Sequence, residues 1–272
     1  MITKSFKPFK RMQHLQHLVS DGDAIIKEAA DRISHANQLS TARRNFLLGS
    51  LTLGGLSMLT GCMLDDSASI GNALGKISRL NDDVQGFLFD PTRLAPTYPE
   101  SMITRPFPFN AFYAESEITE VDEDEYELEV AGLVADRRKW TLPALRAMPQ
   151  IDQVTRHICV EGWSAIGKWG GVPFADFLRK VGADTTAKYV GFKCADDYFT
   201  SIDMATALHP QTLLALTYDG QVLPPKYGFP MKLRMPTKLG YKNPKHIQAI
   251  FVTNTYPGGY WEDQGYNWFG GS

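Results

Sequence analysis

The chain has 272 residues, enough to bury one sizeable core or two small ones, and its 43% hydrophobic and 21% charged residues describe a soluble globular protein. The formal net charge is -2, but residues 1 to 61 hold eight Lys+Arg against four Asp+Glu, so the remainder is acidic, which argues against nucleic acid as a partner. Three cysteines are too few for a disulfide scaffold, and the chain has no G-x-G-x-x-G after a strand, P-loop, H-E-x-x-H, serine nucleophile elbow, C-x-x-C-H haem site or iron-sulfur cysteine set.

Residues 1 to 40 are polar and basic, with an amphipathic helix predicted over Ser20 to Ala36. Thr41-Ala42-Arg43-Arg44-Asn45-Phe46-Leu47-Leu48 then opens an uncharged stretch, Phe46 to Leu59, broken by glycines. Paired arginines before such a stretch resemble a twin-arginine export signal, and the stretch is shorter than the ~20 residues a membrane-spanning helix needs. Leu59-Thr60-Gly61-Cys62 resembles a lipobox. Residues 1–61 therefore read as an export leader to the periplasm, ending either in lipidation at Cys62 or in plain cleavage. A lipid on Cys62 would be the membrane contact of the chain.

Residues 62–95 read as a tether with a helix near Ile70 to Val84. Pro91, Pro96, Pro99, Pro106 and Pro108 keep the next stretch extended, and the folded domain is expected over 96–272. Phe109-Asn110-Ala111-Phe112-Tyr113 is an aromatic-rich loop that either packs on the core or touches a ligand. Tyr126-Glu127-Leu128-Glu129-Val130 alternates strictly, which predicts a half-buried strand with Tyr126, Leu128 and Val130 inward. Trp140 to Leu145 reads as a turn and a short helix starting at Pro143.

Around the middle of the chain, Ile151, Val154 and Ile158 form a β-prone approach to Cys159, which is followed by Val160-Glu161-Gly162-Trp163 and an expected Gly-rich, Trp-rich turn. A thiol at the end of a strand, among Arg156, His157 and Glu161, is either a small buried hydrophobe or a thiolate held as metal ligand or nucleophile. A helix is predicted over Phe174 to Val181 with Gly182 as its stop, a strand over Lys188 to Cys194, and a helix over Ser201 to Leu208. His209 is either structural or a hydrogen-bond donor behind a site. Thr212 to Asp219 reads as a strand entering the hairpin turn Tyr218-Asp219-Gly220-Gln221, and Ala249 to Asn254 as a closing strand. Between Asp219 and Glu262 there is no acid, whereas Lys226, Lys232, Arg234, Lys238, Lys242 and Lys245 all fall there. Those cations form either a solvated face or the complement of a phosphate. Tyr256 to Glu262 and Gly265 to Trp268 combine glycines and aromatics suited to walling a pocket.

His157-Ile158-Cys159-Val160-Glu161-Gly162-Trp163-Ser164 with Trp169-Gly170-Gly171-Val172-Pro173 resembles the centre of the sulfite-oxidase-type molybdopterin oxidoreductases. The likeness is closest to their bacterial periplasmic methionine sulfoxide reductase branch, and it runs from about Asn110 to Trp268. It implies a strand-rich α+β, sulfite oxidase-type molybdopterin-binding fold, a molybdenum-molybdopterin cofactor, and molybdenum bound to the sulfur of Cys159. Cofactor contacts are implied at Asn110, Tyr113 and Ala114, and at Asn243, Pro244 and Lys245. They are also implied at Cys194, Tyr227 and Lys232, where that branch carries threonine, asparagine and arginine. Glu161, Trp163, Tyr260 and Trp261 are the expected pocket wall.

Sulfite oxidases carry two arginines soon after the cysteine and a tyrosine further on, which together bind a small dianion; Gly162-Trp163-Ser164 and Leu216 stand at those places here. The resemblance therefore implies reduction of a small neutral oxide, an S-oxide such as methionine sulfoxide. Without a second redox centre in the chain, it also implies a membrane haem- or quinol-linked electron-transfer subunit as partner. The alternatives are a sulfite oxidase-like dehydrogenase and a non-catalytic lipoprotein that keeps the fold without the cofactor.

Overall fold

In the computed structural model the backbone is described from Ser67 and the side chains from Ser78, in each case to Ser272. The leader, its expected helix over Ser20 to Ala36 and Cys62 lie outside the described residues. In chain order the regular elements are α1 (Ser67–Leu88), β1 (Glu127–Gly132), β2 (Trp140–Thr141), α2 (Leu142–Arg146), β3 (Ile151–Ile158), β4 (Ser164–Pro173), α3 (Phe174–Lys180), β5 (Tyr189–Cys194), β6 (Phe199–Asp203), α4 (Met204–Ala207), β7 (Leu213–Tyr218), β8 (Gln221–Val222), β9 (Lys232–Arg234) and β10 (Ile247–Thr253). This is the expected strand-rich α+β class. None of the helices searched among the described residues is long and apolar enough to cross a membrane.

The strands form two sheets, one in the order β2-β1-β10-β5-β6 and one in the order β3-β4-β7-β8, with β9 also paired to β7. In β1 the expected alternation holds: Tyr126, Leu128 and Val130 are buried while Glu127 and Glu129 face solvent. The main core draws Leu128, Val130, Phe192 and Ile250 from the first sheet, Val172, Leu214 and Leu233 from the second, and Phe174, Phe177 and Leu178 from α3. Each sheet therefore turns an apolar face to the same interior. The β7–β8 turn has φ of 49° at Asp219 and 77° at Gly220, the left-handed pair that Asp-Gly favours between two paired strands.

Three expectations need correction. The Gly- and Trp-rich stretch after Trp163 is no turn but β4, the central strand of the second sheet, paired with β3 on one side and β7 on the other. Its glycines serve close packing: a Cβ on Gly171 would sit 2.0 Å from the Leu214 carbonyl oxygen, and one on Gly170 2.2 Å from Asp152 Oδ1. Ser201 to Leu208 is not one helix, because Ser201 to Asp203 complete β6; Asp203 then caps α4, its carboxylate accepting from Thr206 N at 2.7 Å. The helix expected near Ile70 to Val84 is longer at both ends, and Asp82 Oδ1 accepts from Phe269 N at 2.8 Å while Gln85 Oε1 accepts from Gly271 N at 3.1 Å.

His209 is structural: its Nε2 lies 3.1 Å from the Arg93 carbonyl and its Nδ1 accepts from Gln211 N at 3.1 Å. Cys159 and Cys194 are free thiols.

Because β4 is held between two neighbours, Gly171→Ala forces a methyl into the Leu214 backbone. We expect a loss of about 2 to 3 kcal/mol, read as a lower denaturant midpoint at unchanged slope. A change below about 0.5 kcal/mol would mean that β4 and β7 can separate freely there.

Candidate functional site

The β3–β4 hairpin places the thiol. Ile158 pairs with Ser164, so Cys159 is the first residue beyond the ladder. Its amide donates to the Trp163 carbonyl at 2.9 Å, its own carbonyl accepts from Gly162 N at 3.1 Å, and Gly162 adopts φ 92° to close the loop. Cys159 is thereby fixed at the hairpin tip, 5% exposed. Asn110 Nδ2 lies 3.2 Å from its Sγ, and Glu161 Oε2 lies 3.6 Å away and also accepts from Trp163 Nε1 at 3.0 Å. Burial pushes the thiol's pKa up, and the Glu161 carboxylate adds to that while its backbone and Asn110 oppose it.

Cys159 faces a cavity of about 130 Å³ lined by Asn110, Glu161, Tyr198, Asn243, Pro244, Lys245 and Trp261, with Phe112, Val160 and Tyr266 among its other wall residues. Phe112, Val160 and Tyr266 are exposed apolar side chains, so the cavity has an aromatic and aliphatic wall reaching the surface.

Behind the cavity lies a set of buried cations. β9 is short, and its period of two sends Lys232 and Arg234 to one side while Leu233 enters the main core. Arg234 donates to the Arg156 carbonyl at 2.6 Å, to Thr155 Oγ1 at 3.2 Å and to Asn243 Oδ1 at 3.3 Å, but its Nε has no partner. Lys232 Nζ lies 5.0 Å over the Trp169 ring, and Lys245 Nζ lies 4.8 Å over Phe109 and 3.3 Å from the Lys226 carbonyl. Among the described residues no carboxylate forms a salt bridge with Lys232, Arg234 or Lys245. Burial pushes Arg234 down to about 9 and Lys245 down to about 8, the latter against the pull of Asp196. Lys232 is driven well below the usual lysine range, first by burial and then by Lys245 and Arg234. The same three cations, after burial itself, keep the His157 imidazole neutral, and neither of its ring nitrogens has a partner. Unpartnered donors and uncompensated positive charge make this a receptacle for an anion.

The run of six cations read from the sequence is thus divided. Lys242 pairs with Glu262 and donates to the Ser201 carbonyl at 2.7 Å, and Lys238 lies 3.7 Å from Asp203 Oδ2. Lys226 is on the surface, 3.7 Å from Glu115. Only Lys232, Arg234 and Lys245 are buried without a carboxylate.

Of the residues singled out in the sequence, Asn110, Cys159, Glu161, Asn243, Pro244, Lys245 and Trp261 line one cavity. Trp163 Nε1 donates to Glu161, and the Tyr260 ring lies tilted over Phe112 at 4.7 Å and edge-on to Trp261 at 5.2 Å. Lys232 belongs to the cation set. Cys194 and Tyr113 lie close enough to Lys245 or to each other to feel one another's charge. Ala114 is exposed and precedes the turn Glu115–Glu117. Tyr227 is set apart: its hydroxyl donates to the Phe107 carbonyl at 2.9 Å within a cluster of Phe107, Trp169 and Tyr218. Sequence reasoning passed over Tyr198, whose hydroxyl reaches the Tyr241 carbonyl, and Gly240, whose hydrogen lets the turn lie against His157. Neither carries a local signal.

The chain matches the family described as oxidoreductase molybdopterin binding domain over residues 115–261. It is 69% identical over 255 residues to a putative protein-methionine-sulfoxide reductase subunit, YedZ1, of Azospira oryzae, covering 94% of this chain and 97% of that one. It is 31% identical over 161 residues to the protein-methionine-sulfoxide reductase catalytic subunit MsrP of Ralstonia nicotianae, and here the match spans 53% of this chain and about half, 49%, of the relative. Among solved structures, the sulfane dehydrogenase SoxCD from Paracoccus pantotrophus aligns with TM-score 0.48 at 19% identity over 51% of this chain and 40% of that one.

A lysine whose folded pKa of about 8 lies below its ordinary 10.5 binds fewer protons folded than unfolded between those values, so stability rises with pH in that window. We expect the melting temperature of protein stripped of bound groups to climb from pH 8 towards pH 10, and the climb to shrink in Lys245→Met. An identical climb in that variant would place the titration elsewhere.

Proposed function

The chain belongs to the oxidoreductase molybdopterin-binding domain family, whose cofactor is molybdenum-molybdopterin, and from that premise we propose that it reduces a neutral S-oxide such as methionine sulfoxide. The residues present fit the cofactor. Lys232, Arg234 and Lys245 offer buried positive charge to a phosphate-bearing organic group, and the unpartnered nitrogens of Arg234 and His157 await hydrogen-bond partners. On the cavity wall Cys159 offers the soft sulfur that suits molybdenum, and we assign its Sγ as the protein ligand. Burial above all holds this sulfur protonated, and it would ionise as a ligand to a bound metal.

When bound, the molybdenum supplies the two-electron exchange of an oxygen atom. The chain does the rest. Asn110 Nδ2 donates to Cys159 Sγ and fixes its direction. The Asn243-Pro244-Lys245 loop, with Tyr113, Ala114, Cys194 and Lys232 around it, holds the organic part; Tyr227 supports it through packing. Phe112, Trp261 and Tyr266 keep bulk water from the cavity and give an S-methyl group an aromatic surface. Converting an S-oxide to a thioether and water consumes two electrons and two protons. Glu161, held by Trp163 beside Cys159, is the group positioned to give a proton to the departing oxygen.

The direction rests on one observation: the cavity wall carries the Glu161 carboxylate and the Lys245 ammonium, and no arginine. Arg156, the nearest in sequence to Cys159, turns its guanidinium onto Tyr98 at 5.2 Å, and Leu216 lies in the core. A sulfite dianion would meet a carboxylate, whereas a neutral S-oxide would not be repelled.

Residues 1–61 are proposed as a twin-arginine leader to the periplasm, 62–95 as the tether, lipid-anchored at Cys62 where that residue is acylated, and 96–272 as the catalytic domain. Electrons are proposed to come from a membrane haem- or quinol-linked subunit.

Protein from cells that make the cofactor should contain near-stoichiometric molybdenum, lost in Cys159→Ala, and should oxidise reduced viologen on addition of methionine sulfoxide. Ferricyanide reduction driven by sulfite at a comparable rate would reverse the assigned direction. Well-folded protein free of molybdenum would leave the non-catalytic lipoprotein instead.

A further inference from the structure

Tyr113, Asp196 and His246 meet beside Lys245 in an arrangement that is one proton short. His246 is 0% exposed, and it holds a left-handed φ of 51°, uncommon for a residue with a side chain. Its backbone is pinned there, the amide donating to the Gly228 carbonyl at 3.2 Å and the carbonyl accepting from Ala195 N at 2.9 Å. In the ring, Nδ1 lies 2.5 Å from the Phe229 carbonyl, which can only accept, so Nδ1 carries the hydrogen of the neutral imidazole and Nε2 keeps a lone pair. That lone pair lies 3.4 Å from the Tyr113 hydroxyl, which is also 3.1 Å from Asp196 Oδ2. One hydroxyl hydrogen therefore faces two acceptors, and one of them goes without.

A single added proton satisfies all three groups. The protonated Nε2 donates to the Tyr113 oxygen, and Tyr113 donates to the Asp196 carboxylate. Asp196 is half-buried and reaches solvent, whereas His246 does not. Burial above all holds the imidazole below the usual histidine range; of the groups facing it, the Phe229 carbonyl and Asp196 favour its protonation, Lys245 and Lys232 oppose it, and the hydroxyl of Tyr113 lies against Nε2. The Cys194 thiol lies on Asp196 and Lys245. An anion bound by the two lysines cancels their opposition, and added negative charge strengthens the pull on the proton.

We propose that Tyr113, Asp196 and His246 form a proton-loading relay, which takes a proton from solvent at Asp196 and holds it on His246 next to the cationic cradle. In the step, Asp196 Oδ2 gains a proton from a hydronium ion in solvent, which leaves as water, and Tyr113 passes its hydroxyl hydrogen to His246 Nε2 while taking the one on Asp196. Only O–H and N–H bonds change, and no electron moves within the triad. The inference rests on the proposed reduction of an S-oxide, whose proton demand, matched by electrons from an external donor, gives the relay its purpose.

The test counts protons rather than turnovers. Oxidised holoprotein, its molybdenum content measured first, is reduced electrochemically in unbuffered solution and proton uptake is followed with an indicator dye. Asp196→Asn and His246→Gln should each take up about one proton fewer per chain than the unaltered protein at equal molybdenum content. Asp196 stands outside the cavity wall, so its variant carries the test even where His246→Gln loads poorly. Equal uptake in Asp196→Asn and the unaltered protein overturns the relay and leaves the reductase reading standing. An unaltered protein without molybdenum removes that reading, and the relay with it.

Discussion

The site depends on three basic side chains taken out of water with, among the described residues, no carboxylate in salt-bridge contact with them. Lys232, Arg234 and Lys245 are each 8% exposed or less. Desolvating an ion costs several kcal/mol even after relaxation, and within a protein that cost is normally met by a carboxylate. Lys242, in the same stretch of sequence, shows the normal solution: it is as deeply buried and pairs with Glu262. The contrast between neighbours marks the unpaired three as prepared for a ligand, and it couples folding to loading, since whatever brings the missing charge stabilises the folded chain by mass action.

The strands convert that electrostatic preparation into a directed site. β4 must run between β3 and β7 with almost no space, which its glycines provide, and this brings the Cys159 hairpin and β9 into one sheet. Cys159 then stands at the tip of one hairpin, and Lys232 and Arg234 point from a strand two places away. A cysteine sulfur on the cavity wall, with buried cations on and beside the same wall, fits a group that carries both a metal and negative charge. Sites held by strands vary little in position, and a metal with its organic carrier needs such constancy.

Much of this was legible in the sequence where the physics is local. Alternation in Tyr126 to Val130, the helix over Phe174 to Val181 with its glycine stop, and the Asp219-Gly220 turn depend on neighbours in the chain and appear as expected. The glycines of β4 misled because a glycine run reads as a turn when its true reason, a carbonyl 2.0 Å from the absent Cβ, belongs to a strand forty residues on. The cations were visible as a run, but which of them would find a carboxylate depends on Glu262 and Asp203, which only the fold brings in. The resemblance around Cys159 located the cavity, and seven of the residues it marked line it. The other seven lie outside its lining, among them Tyr227, whose hydroxyl is occupied by the Phe107 carbonyl.

Charge also supports the proposed choice of oxide. The Glu161 carboxylate lies 3.6 Å from Cys159 Sγ, and its bond from Trp163 Nε1 keeps it there. In a cavity of low dielectric, two like charges at such a separation repel far more strongly than in water. A dianionic substrate would have to approach the same sulfur against that repulsion, with Lys245 the one cation on the wall and, in the proposed holoprotein, engaged with the cofactor. A sulfoxide brings a dipole whose oxygen is the part a carboxylic acid can serve, and a methyl group that suits Phe112, Trp261 and Tyr266. In the proposed reaction one side chain would serve twice: ionised, Glu161 disfavours an anion in the cavity, and once it has taken a proton from solvent it is placed to pass that proton to the departing oxygen.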